Sequence, residues 1–296
     1  MKHWTTAIVG AGPSGITAGI QLTRSGISAV LIEKQQPGGL LRNANWVENY
    51  PGFPGGIGGE ALANLMTRQM EQTGVEMFAE AVQSIHWDGT AFILKTSTVQ
   101  ISCALLILAS GTKPIPLPED VVHPSAKAAV FYEVTQLPPC RQAQIAIIGG
   151  GDAAFDYALH LCHHHQVTIY HRSSRARCLP LLWQRATLSP AIQINPNTQL
   201  ISIHDDGKGR LELTLQCQGE RQMQRADFVL AAIGRQPALD FLSPALLQQM
   251  HQLEQEKRCF LVGDVHNGFF RQTAIAVGDG MRAAMQIAQS LQEVIL

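Results

Sequence analysis

Twice in this chain an apolar run ends in a glycine-rich turn that opens a helical segment. The first reads Ala7-Ile8-Val9-Gly10-Ala11-Gly12-Pro13-Ser14-Gly15 and the second Ile145-Ala146-Ile147-Ile148-Gly149-Gly150-Gly151-Asp152-Ala153-Ala154. Such a turn needs small residues for three reasons: a tight bend, close approach of backbone to a pyrophosphate, and close packing of helix on strand. The helix beyond it presents its first N–H groups and its positive dipole end to phosphate oxygens. Two turns of this kind imply two dinucleotides, and two dinucleotides on one chain imply electrons passing between them.

Around each turn the same order of elements repeats. A strand, the first turn, a helix over Gly15 to Arg24 and a second strand, Ala29 to Ile32, form a βαβ unit. A Gly- and Pro-rich loop spans 35–59, followed by a helix over 60–72. Alternating stretches at 82–86, 91–96 and 98–102 predict a small meander returning to the strand Leu105 to Leu108. Lys113-Pro114-Ile115-Pro116-Leu117-Pro118 then breaks regular structure. From Gln144 the pattern begins again: strand, turn, helix 153–163, strand Val167 to Tyr170, meander 199–217 and strand Phe228 to Leu230. A second break at 234–238 precedes Cys259 to Asp264 and a last helix over 273–292. The expected fold is α/β, with two Rossmann-like three-layer nucleotide-binding domains. Residues 1–113 and 238–296 build one discontinuous domain, and 114–237 form a second inserted into it, with 113–118 and 234–238 as hinges or stiff spacers.

The two turns lead into different chemistry. Glu33 ends the strand after the first turn, where an acid binds ribose hydroxyls. The corresponding strand after the second turn leads into His171-Arg172-Ser173-Ser174-Arg175-Ala176-Arg177. Guanidinium groups there favour a ribose carrying a 2′-phosphate, so NADPH is expected over NADH.

Bulk properties narrow the class. The chain has 296 residues, 46% hydrophobic and 15% charged, with a formal charge of -1. That balance gives no basis for binding nucleic acid or an anionic membrane. Apolar runs are too short to span a bilayer, and Met1-Lys2-His3 leads straight into a strand, so no leader peptide is expected. Six cysteines without a CxxC spacing suit a cytoplasmic protein and neither a disulfide scaffold nor a zinc site. His160 and His163-His164-His165 read as a solvated helix end, and no metal site is expected. Cys140 and Cys178 read as lone thiols, and Phe269-Phe270 as either core or a flanking edge of a ring-binding site.

Over its whole length the chain resembles the low-molecular-weight thioredoxin reductase family of flavoproteins. The resemblance rests on GAGPSG with Glu33, on Pro37-Gly38-Gly39-Leu40, on Val47-Glu48-Asn49-Tyr50-Pro51-Gly52 and on Ala109-Ser110-Gly111. It rests further on GGGDAA, HRxxxxR, Ala232-Ile233-Gly234-Arg235, Gly263-Asp264-Val265, Arg271-Gln272 and Gly278-Asp279-Gly280. It implies FAD at the first site, NADPH at the second, and a homodimer. Gly10, Gly12, Pro13, Ser14 and Gly15 would hold the FAD pyrophosphate, with Glu33 and Lys34 at the adenosine side and Val82 nearby. Gly38, Gly39, Leu40, Asn49, Ala109 and Gly111 would lie along the flavin, Gly263 and Asp264 at the ribityl chain, and Arg271, Gln272 and Thr273 at the pyrimidine end. Gly151, Asp152, Ala153, Arg172, Arg177, Gly234 and Arg235 would serve NADPH.

One departure governs the expected activity. The family carries a redox CxxC followed by an acid shortly before the second glycine turn. The corresponding positions here are Tyr132, Glu133, Val134, Thr135 and Gln136. Without two thiols a flavin cannot form and resolve a disulfide, so thioredoxin reduction by the usual route is excluded. Tyr132 and Val134 resemble the dithiol-lacking ferredoxin–NADP reductases of the same superfamily. The expected function is an NADPH-dependent FAD oxidoreductase passing electrons directly to an external acceptor, a redox protein such as ferredoxin, with Tyr132 and Gln272 beside the flavin and no catalytic side chain. The alternatives are reduction of a small disulfide or quinone, and a non-catalytic flavoprotein sensor or subunit with another dinucleotide in the second site.

Overall fold

The computed structural model describes residues 1–140 and 142–293. Strand β1 (Lys2–Val9) feeds the first glycine turn and helix α1 (Pro13–Arg24), followed by β2 (Ala29–Ile32). A short 3-10 turn, Gly39–Asn43, precedes α2 (Gly59–Thr73), β3 (Glu76–Phe78), β4 (Ser84–Trp87), β5 (Phe92–Lys95) and β6 (Gln100–Leu108). Then come β7 (Thr112–Pro114), β8 (Val130–Phe131), β9 (Gln144–Ile148), α3 (Asp152–Leu161) and β10 (Gln166–Tyr170). Next are α4 (Pro180–Leu188), β11 (Ile192–Asn195), β12 (Thr198–Asp205), β13 (Leu211–Cys217), β14 (Glu220–Ala226), β15 (Phe228–Ala231) and β16 (Arg235–Pro237). The chain finishes with α5 (Pro244–Gln255), β17 (Cys259–Leu261) and α6 (Thr273–Glu293).

Two compact units emerge. The first contains Met1–Arg42, Val47–Lys113 and the chain from Gln236 on; the second contains Pro114–Arg235 together with the four residues Asn43–Trp46. The chain thus leaves the first unit not only for the long insert but also, briefly, within the loop after Gly39.

In the first unit the sheet order is β3-β2-β1-β6-β5-β4, with β17 also paired to β6. β1, β2, β3, β6 and β17 run parallel, whereas β4 and β5 are antiparallel. One face of the strands carries Ile8, Leu31, Leu105 and Ile107 into a core with α1 and α6; the other carries Ala7, Val9, Val30, Ile32, Leu106 and Leu108 into a core with β4, β5 and α5. The alternation comes from the two-residue period of a strand buried on both faces. β6 spans the stretches expected as two separate strands. Its first half pairs antiparallel with β5 and its second half parallel with β17, so a change of partner accounts for the change of sequence pattern.

The second unit repeats the plan. β11-β10-β9-β15-β8 form a parallel sheet, and β12-β13-β14 an antiparallel one. Ile145, Ile147, Ile169 and Leu230 meet Ala154, Phe155 and Ala158 of α3 and Ala186 of α4 on one face. Ala146, Ile148, Tyr170, Val229 and Ala231 meet Leu211, Leu213 and Leu215 of the meander on the other. Each unit is therefore a three-layer assembly of helices, parallel sheet and meander.

Two elements expected as irregular are ordered. The proline-bearing break after Lys113 contains β7, which pairs with β16 of the second break. Pro114 closes its strand, where the missing N–H costs nothing. The helices α4 and α5 were not expected from the sequence. Both begin with proline at the first helical position, a local signal for a helix start.

Phe155 is fully buried in the core under α3, so Phe155→Ala removes an aromatic ring from a filled site. A loss of about 3–5 kcal/mol is expected. Urea denaturation followed by far-ultraviolet circular dichroism checks it; an unmoved transition contradicts the placement.

Candidate functional site

Each unit builds one cradle from a strand end, a glycine turn and a helix start. In the first unit Gly10 has φ +103°, and a Cβ there would lie 2.4 Å from the Ala109 carbonyl oxygen at the end of β6. A Cβ at Gly15 would lie 1.9 Å from the Gly10 carbonyl oxygen. Neither position admits a side chain. Gly12, by contrast, is the N-cap of α1 and has open space where its Cβ would be. That space borders a helix start whose first N–H groups have no intrahelical acceptor.

The surrounding residues complete the cradle. Gly38 donates its N–H to the Ala11 carbonyl at 2.7 Å, and Gly39 approaches the Gly12 Cα so closely that a Cβ would stand 3.1 Å from it. The loop 37–40 therefore lies along the glycine turn, with Leu40 half-buried. Glu33 accepts the Ala11 N–H at 2.7 Å through Oε2 and the Gln35 N–H at 2.8 Å through Oε1. Each carboxylate oxygen keeps a further lone pair, so this geometry fits ribose hydroxyls as well as bracing the turn. Lys34 is exposed, and Val82 is half-buried against the core beside Val9. Ser110 Oγ, between Ala109 and Gly111, is buried without a hydrogen-bond partner. A buried orphan hydroxyl beside an open turn fits an oxygen-rich ligand, and the donor set as a whole fits FAD.

Asn49 comes to the same unit on the loop closed by the paired backbones of Val47 and Ile57. Its Nδ2 donates to Gln272 Oε1 at 2.8 Å, joining two residues far apart in sequence that were both expected at the flavin. Ser14, Gly263 and Gly280 interlock. A Cβ at Gly263, φ +75°, would meet Ser14 Oγ at 2.7 Å, and one at Gly280 would meet the Ser14 carbonyl oxygen at 2.0 Å. Asp264 and Arg271 are half-buried near the start of α6, where Thr273 is the first residue.

In the second unit Gly149 repeats Gly10: φ is +153°, and a Cβ would lie 2.4 Å from the Ala232 carbonyl oxygen. Gly151 repeats Gly12, as the N-cap of α3 with open space at its Cβ position. The Arg177 N–H donates to the Gly150 carbonyl at 2.7 Å, laying the arginine loop against the turn. Arg172 and Arg177 are exposed there, a donor set that fits a phosphorylated ribose. Asp152 accepts the Leu179 N–H at 2.7 Å and so fixes the far end of that loop. His171 is only 3% exposed, and burial pushes its pKa down, so its ring is neutral and packs against Gly150, where a Cβ would be 2.9 Å from the His171 Cβ. Gly234 accepts the Ile115 N–H, and Arg235 forms a largely buried ion pair with Glu133 at 2.9 Å.

The five positions 132–136 are built into this unit. Gln136 Oε1 accepts the N–H groups of Tyr132 and Glu133, the Tyr132 hydroxyl accepts the Leu117 N–H at 3.1 Å, and Thr135 donates through both N and Oγ1 to Asn43 Oδ1. The cysteines offer no redox pair. Among the described residues all are free, and burial raises Cys103 to about 12 and raises Cys178 and Cys259 as well. His165 Nδ1 faces the Ala143 N–H at 3.3 Å, a backbone tie at the end of the histidine run. Phe269 and Phe270 are exposed.

Two features were not expected from the sequence. Asp156, one turn beyond Asp152 on α3, accepts the Asn45 N–H at 2.9 Å, and burial pushes its carboxyl up to about 6. The sequence separation of Asn45 and Asp156 hides the pair. Asp279 is the other: it lies in the Gly-Asp-Gly of α6, a motif visible in the sequence, but its partners are set by the fold.

The pyridine nucleotide-disulphide oxidoreductase family matches residues 4–288. A thioredoxin reductase of Chlamydia pneumoniae is 30% identical, the alignment covering 98% of this chain and 100% of that protein. An NADPH-dependent thioredoxin reductase 3 of Arabidopsis thaliana is 29% identical over 96% of this chain, which spans 58% of that relative's length. Among solved structures, a Lactococcus lactis thioredoxin reductase superposes with a TM-score of 0.83 at 28% identity, covering 97% of this chain and 98% of that one.

Asp156→Asn keeps an acceptor for the Asn45 N–H and removes the charge. The fold raises this carboxyl above the ordinary value near 3.9, so the folded chain binds the proton more tightly than the unfolded one. The cost of ionisation is absent below about pH 4 and complete above about pH 6. The variant is expected to be about 2–3 kcal/mol more stable than wild type near pH 7.5 and equal to it near pH 4. Urea melts at the two pH values check this; the same shift at both contradicts it.

Proposed function

This chain belongs to the pyridine nucleotide-disulphide oxidoreductase family, and on that premise we propose that it is an NADPH-dependent FAD oxidoreductase that delivers electrons directly to an external acceptor. The observation that carries the reading is the residue set at 132–136, tyrosine to glutamine with no cysteine, in a chain that keeps both dinucleotide cradles. FAD, when bound, supplies a ring that accepts a hydride and can give up two electrons singly or together.

The side chains divide the remaining work. Gly12 leaves room for a pyrophosphate at the start of α1, and Glu33 takes ribose hydroxyls while bracing the Ala11 N–H. Asn49 and Gln272 fix each other along the flavin side, and Arg271 places a cation where negative charge develops on the reduced ring. In the second unit Gly151 leaves the corresponding room at α3, and Arg172 and Arg177 hold the 2′-phosphate. Glu133 and Arg235 neutralise each other, so Arg235 acts on NADPH through the turn it anchors more than as a free cation.

A one-electron carrier protein of the ferredoxin class is the acceptor that a flavin without a dithiol relay serves best. Small disulfides and quinones are the competing acceptors. The assembly is a cytoplasmic homodimer.

Two outcomes are expected. Rapid mixing of the FAD-loaded chain with NADPH bleaches the flavin's visible absorption, and electrons then pass to ferredoxin faster than to disulfides or quinones; an unbleached band contradicts the reading. Arg172→Ala with Arg177→Ala removes two charged hydrogen bonds of about 1.5–3 kcal/mol each, so NADPH binding weakens roughly a hundredfold or more while NADH binding is unchanged. Equal effects on both nucleotides contradict the assignment of the 2′-phosphate site.

A further inference from the structure

We propose that Asp279 is the positioning residue that sets how tightly the first unit holds its flavin nucleotide, by clamping both ends of the turn that carries Asp264. This rests on FAD occupying the first unit, as proposed for the function. Asp279 lies on α6, outside the cradle, and is 9% exposed. Through Oδ2 it accepts the Gly263 N–H at 3.3 Å and the Asn267 side-chain amide at 2.6 Å. Its Oδ1 accepts from Arg282 at 2.6 Å, and that arginine side chain is 70% exposed.

The geometry makes the carboxylate a single point of support. Gly263 and Asn267 bracket the turn, and the His266 and Asn267 N–H groups both donate to the Gly263 carbonyl. Asn267 in turn accepts the Phe270 N–H, and Phe269 accepts the Arg271 N–H, so the path to Arg271 and Gln272 starts from the clamped residue. On its other side Gly263 is wedged against Ser14, in the first turn of α1, with no room for a Cβ. One buried oxygen therefore holds the Asp264 turn against the helix start that would face the pyrophosphate. Without that support the backbone from Gly263 to Asn267 is less firmly held, and a less ordered Asp264 would have to be ordered by the ligand at the ligand's expense in affinity.

The donor pattern dictates the variant. Both donors meet the same oxygen, so Asp279→Asn with its amide oxygen in that place still accepts from Gly263 and Asn267 and turns its NH2 toward the exposed Arg282. Asp279→Ala removes that oxygen and leaves both donors without it.

The test follows FAD release from the full-length loaded protein by the rise in flavin fluorescence on dilution, with NADP⁺ affinity as a control for the second unit. Asp279→Ala is expected to release FAD roughly tenfold or more faster than wild type, Asp279→Asn to stay within about fivefold of wild type, and NADP⁺ affinity to stay unchanged. Arg282→Ala, which removes only an exposed pair, should change release by less than about fivefold. Asn267→Ala gives a milder variant should Asp279→Ala fold poorly, and release from it faster than wild type supports the clamp. Wild-type release rates from Asp279→Ala, or from Asn267→Ala where Asp279→Ala does not fold, or release from Asp279→Asn as fast as from Asp279→Ala, overturn it. A wild-type chain that takes up no FAD overturns the underlying functional reading as well.

Discussion

At two places a glycine stands where any side chain would drive a carbon to 2.4 Å from a carbonyl oxygen: Gly10 against Ala109 and Gly149 against Ala232. Each close approach joins the end of one parallel strand to the end of its neighbour, β1 to β6 and β9 to β15. The bend this permits turns the chain into a helix start, and Gly12 and Gly151 leave that start open. Glu33 and the loop at 37–40 in the first unit, and the arginine loop in the second, are tied directly to these two bends. The same distance recurs in both units.

From that shared constraint the two cradles diverge in the residues just past the second strand. In the first, a glutamate side chain turns back onto the glycine turn and accepts the Ala11 N–H. In the second, the loop is laid against the turn by the main chain of Arg177 on Gly150 and by the Asp152 carboxylate on the Leu179 N–H, leaving the arginine side chains outward. The neutral, buried His171 packs behind Gly150 and supports that loop without adding charge. The proposed selectivity between nucleotides thus rests on a few residues beyond the bend, whereas the bend itself is common to both units.

The local features were legible because they depend on neighbours in sequence. Gly10, Gly12 and Gly15 announce themselves by spacing, and Glu33 and the arginine run by their place after a strand. Features that depend on distant partners were not. Asp156 meets Asn45 only because residues 43–46 leave the unit that surrounds them in sequence, and no local pattern marks such an excursion. Asp279 could be seen as part of a motif, but its role as an anchor comes from Gly263 and Asn267 being folded onto it. The proline-bearing breaks read as irregular because a two-strand ladder as short as β7 with β16 has no periodicity to detect. The turn at 132–136 stands between these cases. Its lack of cysteine is plain in the sequence, but its hydrogen bonds to Leu117 and Asn43 are not, and they explain how the segment keeps its shape without a disulfide.

In the proposed reading the two units divide the labour between a flavin nucleotide in the first and a 2′-phosphorylated pyridine nucleotide in the second. The most direct measurement of that division is the identity and stoichiometry of what the purified, full-length chain binds, read by mass spectrometry of nucleotides extracted after saturation with FAD and NADP⁺. The expected result is one FAD and one NADP⁺ per chain, with NAD⁺ unable to displace the latter at equal concentration. Two FAD molecules per chain, or no flavin at all, would contradict it.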